Sequence, residues 1–161
     1  MIKNKILYFS YDGVLEPLGQ SQIMNYQYEI SKKYEINIVS FEKYADLNNI
    51  NKIKLFKQKI KDNNITWYPL LYSKNIKYIS FFLNFFRGFF LILNLLFKEK
   101  IKIIHCRGYV TYMIIFFLKY FFKFQILFDM RGFWVDERVE WSIWKHNKAK
   151  YFFFKFIEKK L

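Results

Sequence analysis

Ile103-Ile104-His105-Cys106-Arg107-Gly108-Tyr109 and Leu127-Phe128-Asp129-Met130-Arg131-Gly132-Phe133 are the two runs that decide how this chain folds. Each is an apolar, strand-like segment that ends in a polar residue and continues as x-Arg-Gly-aromatic. Laid parallel in one sheet, the two strands bring His105, Arg107, Asp129 and Arg131 to a single edge. Open α/β sheets place their ligand crevice at that edge. Two rigid guanidinium forks there suit a phosphate or another anionic group, and the glycines let the backbone turn sharply past each strand.

Outward from these runs, strand and helix alternate along the whole chain. Lys5 to Tyr11 is a continuous apolar run, as expected of a strand buried on both faces. Residues 20 to 33 read as a helix with Ile23, Tyr26 and Ile30 on one stripe, followed by a strand from Ile36 to Phe41. Residues 46 to 62 read as a basic amphipathic helix with Leu47, Ile50, Ile53, Phe56 and Ile60 facing inward. A third strand runs from Ile65 to Leu70, then come a long apolar helix near 77 to 98, strand 101 to 105, a helix near 109 to 122 and strand 124 to 129. From about 146 the pattern is a basic, aromatic helix. Alternation of this kind predicts an α/β fold, a Rossmann-like doubly wound parallel sheet flanked by helices. At 161 residues, one domain over 1–161 is expected.

The net charge of +14 comes from 27 basic and 13 acidic residues and points to an anionic partner. Lysine outnumbers arginine heavily, in keeping with an AT-rich coding sequence, so the four arginines stand out. Three of them, Arg107, Arg131 and Arg138, fall in or just after the two strand-end runs. The single cysteine, Cys106, excludes an internal disulfide and a multi-cysteine zinc site, and a reducing compartment fits. Cys106 and His105 are adjacent on a strand and so point to opposite faces, which argues for packing rather than a nucleophile. His105 and His146 offer no metal-ligand spacing. The N terminus has no adequate apolar core and no small-residue cleavage site, so no signal peptide is expected. No recognition motif accompanies the basic charge, and nucleic acid is not expected as a partner.

The long apolar helix has two readings. Residues 78 to 97 are nearly long enough to cross a bilayer, with 109 to 128 as the partner of a hairpin. Against a span, Ser80, Asn84, Arg87, Asn94 and Lys98 fall close to one helical stripe. Basic residues also occupy every flank, so nothing sets an orientation. A buried or membrane-surface helix is the leading expectation.

Ile6-Leu-Tyr-Phe-Ser-Tyr-Asp-Gly-Val-Leu-Glu-Pro-Leu-Gly-Gln-Ser-Gln22 resembles the opening of N-terminal domains of glycosyltransferase family 4. The run Phe128-Asp-Met-Arg-Gly-Phe-Trp-Val-Asp-Glu-Arg-Val-Glu140 resembles a second signature of a subgroup of that family, and His105-Cys-Arg-Gly108 sits where such domains end their fourth strand. The resemblance implies the N-terminal, acceptor-binding half of a GT-B fold. It also implies retaining sugar transfer from a nucleotide-sugar to a lipid-linked or cell-surface glycan, without a metal or other cofactor. The Glu-x7-Glu pair of the donor-binding half does not occur in this sequence. The chain is therefore read as half an enzyme, whether a fragment, a truncated gene product or a split subunit with a separate donor-binding partner, and is expected to transfer little or nothing alone. It is placed at the cytoplasmic membrane face, where helix 46 to 62 and the stretch Lys148 to Leu161 meet anionic lipid.

Within that resemblance, Gly19 and Gln20 are expected in a loop that closes over acceptor or donor phosphate. Asp129 is the candidate catalytic residue, orienting or deprotonating an attacking hydroxyl. Arg131 is expected to fix a phosphate, with an ion pair to Asp129 as the alternative. Arg107 and His105 are placed in the same cleft. Asp136, Glu137 and Arg138 line it or simply form a solvated helix start, where acids are favoured. The second reading of function is a non-catalytic, membrane-associated binding domain.

Overall fold

A computed structural model describes residues 4–74, 77–141 and 149–160. Five strands, β1 (Lys5–Ser10), β2 (Glu35–Glu42), β3 (Ile65–Leu71), β4 (Ile101–Arg107) and β5 (Gln125–Asp129), form one sheet. All pairings are parallel and the order is β3-β2-β1-β4-β5. Helices cover both faces, so the expected Rossmann-like, doubly wound α/β fold is what the chain adopts. Strand order reverses between β1 and β4, which makes their carboxyl ends the topological switch point. Pro69 lies within β3, an edge strand, where a missing ladder donor is tolerated.

Alternate residues of each strand feed two separate cores. On the first face Tyr8, Ile36, Ile38 and Ile65 pack with Ile23 and Met24, and with Phe56 and Ile60 of α4 (Ile50–Lys61). On the second face Leu7, Phe9, Val39, Phe41, Ile104 and Cys106 pack with α5 (Lys77–Lys98) and α6 (Tyr109–Leu118). Cys106 is buried there, away from His105, and burial pushes its thiol well up.

Two helices differ from the pattern read in the sequence. The stretch read as one helix from 20 to 33 begins earlier, as α1 (Pro17–Gly19), passes through a π-helical turn (Gln20–Met24) and ends as α2 (Asn25–Ser31). The stretch 46 to 62 is divided into α3 (Tyr44–Leu47) and α4 because the Asn49 side chain accepts from Lys52 N at 3.0 Å and starts a new helix. Ile50, expected to face inward, opens that new helix and is exposed. Beyond β5 lie α7 (Trp134–Glu140) and α8 (Ala149–Lys160). His146 lies outside the described residues.

Helix α5 is folded against its own hydropathy. Its stripe toward the sheet begins with Ser80, Asn84 and Gly88 before continuing as Ile92, Leu95 and Leu96. Ile79, Phe82, Leu83, Phe86, Phe90 and Phe97 face outward. Asn84 is satisfied inside: its amide nitrogen donates to Tyr11 Oη and Ser73 O at 3.0 Å each, and Ser73 N donates to its oxygen at 3.0 Å. A Cβ on Gly88 would lie 3.0 Å from Phe9 and 3.1 Å from Ile114, so the small residue brings the helix close to the sheet. The polar stripe noted in the sequence is thus split, with Ser80 and Asn84 inside and Arg87, Asn94 and Lys98 outside.

Candidate functional site

Strand β4 runs two residues past its expected end, which makes Arg107 the last residue of the sheet. Arg107 is in register with Ser10 on β1 and Asp129 on β5, so its side chain emerges at the switch point. The next residue, Gly108, has φ 84° and ψ 169°, a conformation that essentially only glycine adopts, and it starts α6. That turn lets Gly108 N donate to Asp129 O at 3.1 Å, tying the two strand ends together. No side chain caps the α6 N terminus.

Arg107 is almost fully buried, with 7 % of its side chain exposed. Its Nη1 donates to Asp129 Oδ2 at 3.0 Å and its Nη2 to Gln22 Oε1 at 2.9 Å. Nε is buried without a hydrogen-bond partner and makes only a 3.5 Å ion-pair contact with Asp12 Oδ2. The same Asp12 oxygen lies 3.5 Å from Arg131 Nη1. One exposed carboxylate, 57 % accessible, therefore stands between two guanidiniums at the switch point. Burial opposes the charge on Arg107, and Tyr8 and Asp129 outweigh it, so the guanidinium stays cationic.

His105 stands two residues back on the same face of β4. Its ring meets Tyr8 edge-on at 4.8 Å, and Tyr26 Oη donates to Tyr8 Oη at 2.9 Å. Burial lowers the His105 pKa, with Arg107 adding to the effect and Asp129 opposing it. Burial, and then the hydrogen bond with Tyr26, push the Tyr8 phenol well up.

Gly19 and Gln20, expected in a loop, instead close α1 and open the π-helical turn. A Cβ on Gly19 would run into Gly13 O and Val14, and Gln20 Nε2 donates to Val14 O at 2.5 Å, so both hold the loop after β1 in shape. The loop is clasped from below by Glu42, a fully buried carboxylate at the end of β2. Glu42 accepts from Val14 N at 2.8 Å, Leu15 N at 3.2 Å and Ser40 Oγ at 2.6 Å. Burial raises its pKa, and these three donors pull against the rise.

Asp136, Glu137 and Arg138 all lie on α7. Asp136 accepts from Lys155 Nζ at 2.5 Å and from Tyr151 Oη at 3.3 Å, both on α8. Glu137 folds back over Gly132, leaving no room for a Cβ there. Tyr109 Oη, 2.9 Å from both Gly132 O and Glu158 Oε1, links this cluster to the start of α6. The expected set is thus divided. His105, Arg107, Asp129 and Arg131 gather at one edge, while Gly19, Gln20, Asp136 and Glu137 build neighbouring turns.

Asp12 and Gln22 belong to the network and were not singled out in the sequence. Their signal is strand order: Asp12 lies just past β1, and only the adjacency of β1 to β4 brings it to Arg107. Arg131 pairs with Asp12, whereas Asp129 pairs with Arg107, so the expected Asp129–Arg131 pair is exchanged for two others. Two surface hollows among the described residues lie elsewhere, a wide-open one of about 540 Å3 along Ala45 to Asn51 and one of about 190 Å3 between Leu15, Gln20 and α4. The second is smaller than the roughly 300 Å3 at which ligand pockets begin.

No family model matches this chain. No curated protein matches it either. Among solved structures it is similar to the C-terminal domain (residues 78-226) of PF1911 hydrogenase from Pyrococcus furiosus, at 15% identity over 79% of this chain and 91% of that chain, with a TM-score of 0.51. A second crystal structure of that domain (residues 83-215) matches at 18% identity over 78% and 91%, with a TM-score of 0.49. The likeness is one of fold alone. The neighbour with the TM-score of 0.51 is named as a hydrogenase domain and not as a glycosyltransferase, so the family 4 resemblance, and the transferase and polysaccharide-synthesis readings drawn from it, are withdrawn. The motifs that carried the resemblance have local physical explanations: the first is a loop clasped by Glu42, the second a turn packed by Glu137.

Proposed function

We propose that the protein is a binding domain for a phosphate-bearing ligand, held at the β1/β4 switch point by Arg107 and Arg131. The observation that carries this reading is the shared Asp12 carboxylate, 3.5 Å from each guanidinium. Asp12 is more than half exposed and its contacts are long, so it occupies the place of a bridging anion without binding tightly. An exposed ion pair of this geometry contributes about 0–1 kcal/mol, whereas a phosphate offers each arginine a bidentate, charge-assisted contact. The buried, unpartnered Nε of Arg107 supports the same reading, since a buried donor without an acceptor is costly and is satisfied by an incoming oxygen. The N terminus of α6 beside it carries no side-chain cap and points its positive dipole end toward the same place. Asp129 and Gln22 act as positioning residues that fix the Arg107 fork.

The test is calorimetric titration of the full chain with pyrophosphate and with a nucleoside diphosphate. Asp12→Asn removes the competing charge and is expected to tighten binding about fivefold or more, while Arg131→Ala weakens it at least about tenfold. Absence of binding to both the parent chain and Asp12→Asn, or binding that Arg131→Ala leaves unchanged, overturns the proposal.

A further inference from the structure

We infer that the outer face of α5 and α6 docks the protein onto an anionic lipid bilayer, lying in the interface rather than crossing it. Ile79, Phe82, Leu83, Phe86, Phe90 and Phe97 are all exposed and fall within an arc of about 100° on α5. They extend over roughly 27 Å of helix. The face continues onto the neighbouring helix, where Phe117 meets Phe85 at 6.3 Å, and Phe116, Tyr120 and Phe121 are exposed beside it. Phe97 and Phe122 close the seam at 5.0 Å. An apolar patch of this extent on one side of a domain marks an interaction surface.

Charge identifies the partner. Residues 63 to 128 contain nine lysines and arginines and one acid, Glu99, which is paired with Lys5. Lys98, Lys100, Lys119 and Lys123 are exposed where α5 and α6 end, next to Phe97, Tyr120 and Phe121. Aromatic rings bordered by lysines fit the boundary between lipid headgroups and acyl chains. A second copy across a two-fold axis would set this lysine-rich face against itself. By length and hydropathy the segment Ile79–Lys98 is able to span a membrane. The sheet holds it back, through Gly88 against Phe9 and Ile114 and through Asn84 bonded to Tyr11 and Ser73. The contact therefore lies on α5 and α6 rather than on the lysine face of α4. It uses no residue of the Arg107–Arg131 network, so either proposal survives the failure of the other.

The experiment is co-sedimentation of the full chain with phosphatidylcholine vesicles, with and without roughly 30 % phosphatidylglycerol. Binding is expected with phosphatidylglycerol, weakened at least about tenfold by Phe86→Glu with Phe90→Glu. Lys119→Glu with Lys123→Glu is expected to weaken it about tenfold on anionic vesicles only. These side chains are exposed, and circular dichroism verifies that the variants fold. Equal binding to neutral and anionic vesicles, binding indifferent to the phenylalanine pair, or resistance to alkaline carbonate overturns the inference. So does a dimer in sedimentation velocity that the phenylalanine pair dissolves, since the face is then covered by a second copy.

Discussion

Helices α4 and α5 lie on opposite faces of one sheet and follow opposite rules. α4 buries Phe56 and Ile60 and turns most of its lysines to water. α5 buries Ser80, Asn84 and Gly88 along its first half and turns phenylalanines outward. Both arrangements are self-consistent, because Asn84 finds three partners inside. The difference teaches that amphipathicity identifies a helix without saying which side is the core. For α4 the outer face suits water. For α5 it does not, and the helix has a second partner to meet.

The sharpest break between the two faces is expected from core truncation. Phe56→Ala removes a ring that is 3 % exposed and meets Trp67 edge-on at 4.8 Å. It is expected to cost about 3–5 kcal/mol in urea unfolding. Asn84→Leu comes next. It keeps the branched outline of the side chain, with bulkier methyl groups, but leaves Ser73 N, Ser73 O and Tyr11 Oη without their partner, a loss of about 2 kcal/mol. If Asn84→Leu instead stabilises the protein, the polar stripe of α5 is not a structural clasp and the contrast with α4 fails.

The strands and their parallel arrangement were legible in the sequence, since continuous apolar runs between helical periods leave few alternatives. The edge that gathers His105, Arg107, Asp129 and Arg131 was legible for the same reason. The salt-bridge pattern was not, because Asp12 reaches Arg107 only through the β3-β2-β1-β4-β5 order, which no local signal encodes. The facing of α5 was also hidden: Ser80, Asn84, Arg87, Asn94 and Lys98 read as one polar stripe, and only the bonds of Asn84 to Tyr11 and Ser73 show that its first part lies inside. The family resemblance misled because loops of the first βα turn share glycines for backbone reasons alone, as Gly13 shows by lying against Glu42.

A smaller effect probes where the first face stops being interior. His105 has its pKa lowered by burial, so it is held neutral in the fold. Below about pH 6.5 the unfolded chain takes up the proton first. Stability should therefore be fully present above about pH 6.5 and fall as pH drops from there toward the lowered folded value. His105→Asn should flatten this segment of the stability–pH curve. An unchanged slope assigns the pH dependence to another group and removes His105 from the interior of the first face.

The smallest expected change is the most informative about α5. Phe86→Ser replaces a large aromatic ring in a helix, and a change of the same kind at Phe56 would be severe. Phe86 is half exposed, and its ring contacts are with Phe85 and Phe90, neighbouring half-buried and exposed rings of the same helix. Stability in urea is therefore expected to move by no more than about 0.5 kcal/mol. The apolar area that Phe86 shows to water is large, so retaining the ring gains the fold little, and its free energy is available only to a partner. A cost approaching that of Phe56→Ala would mean that the outer phenylalanines pack into the domain itself, and the two helices would then obey one rule.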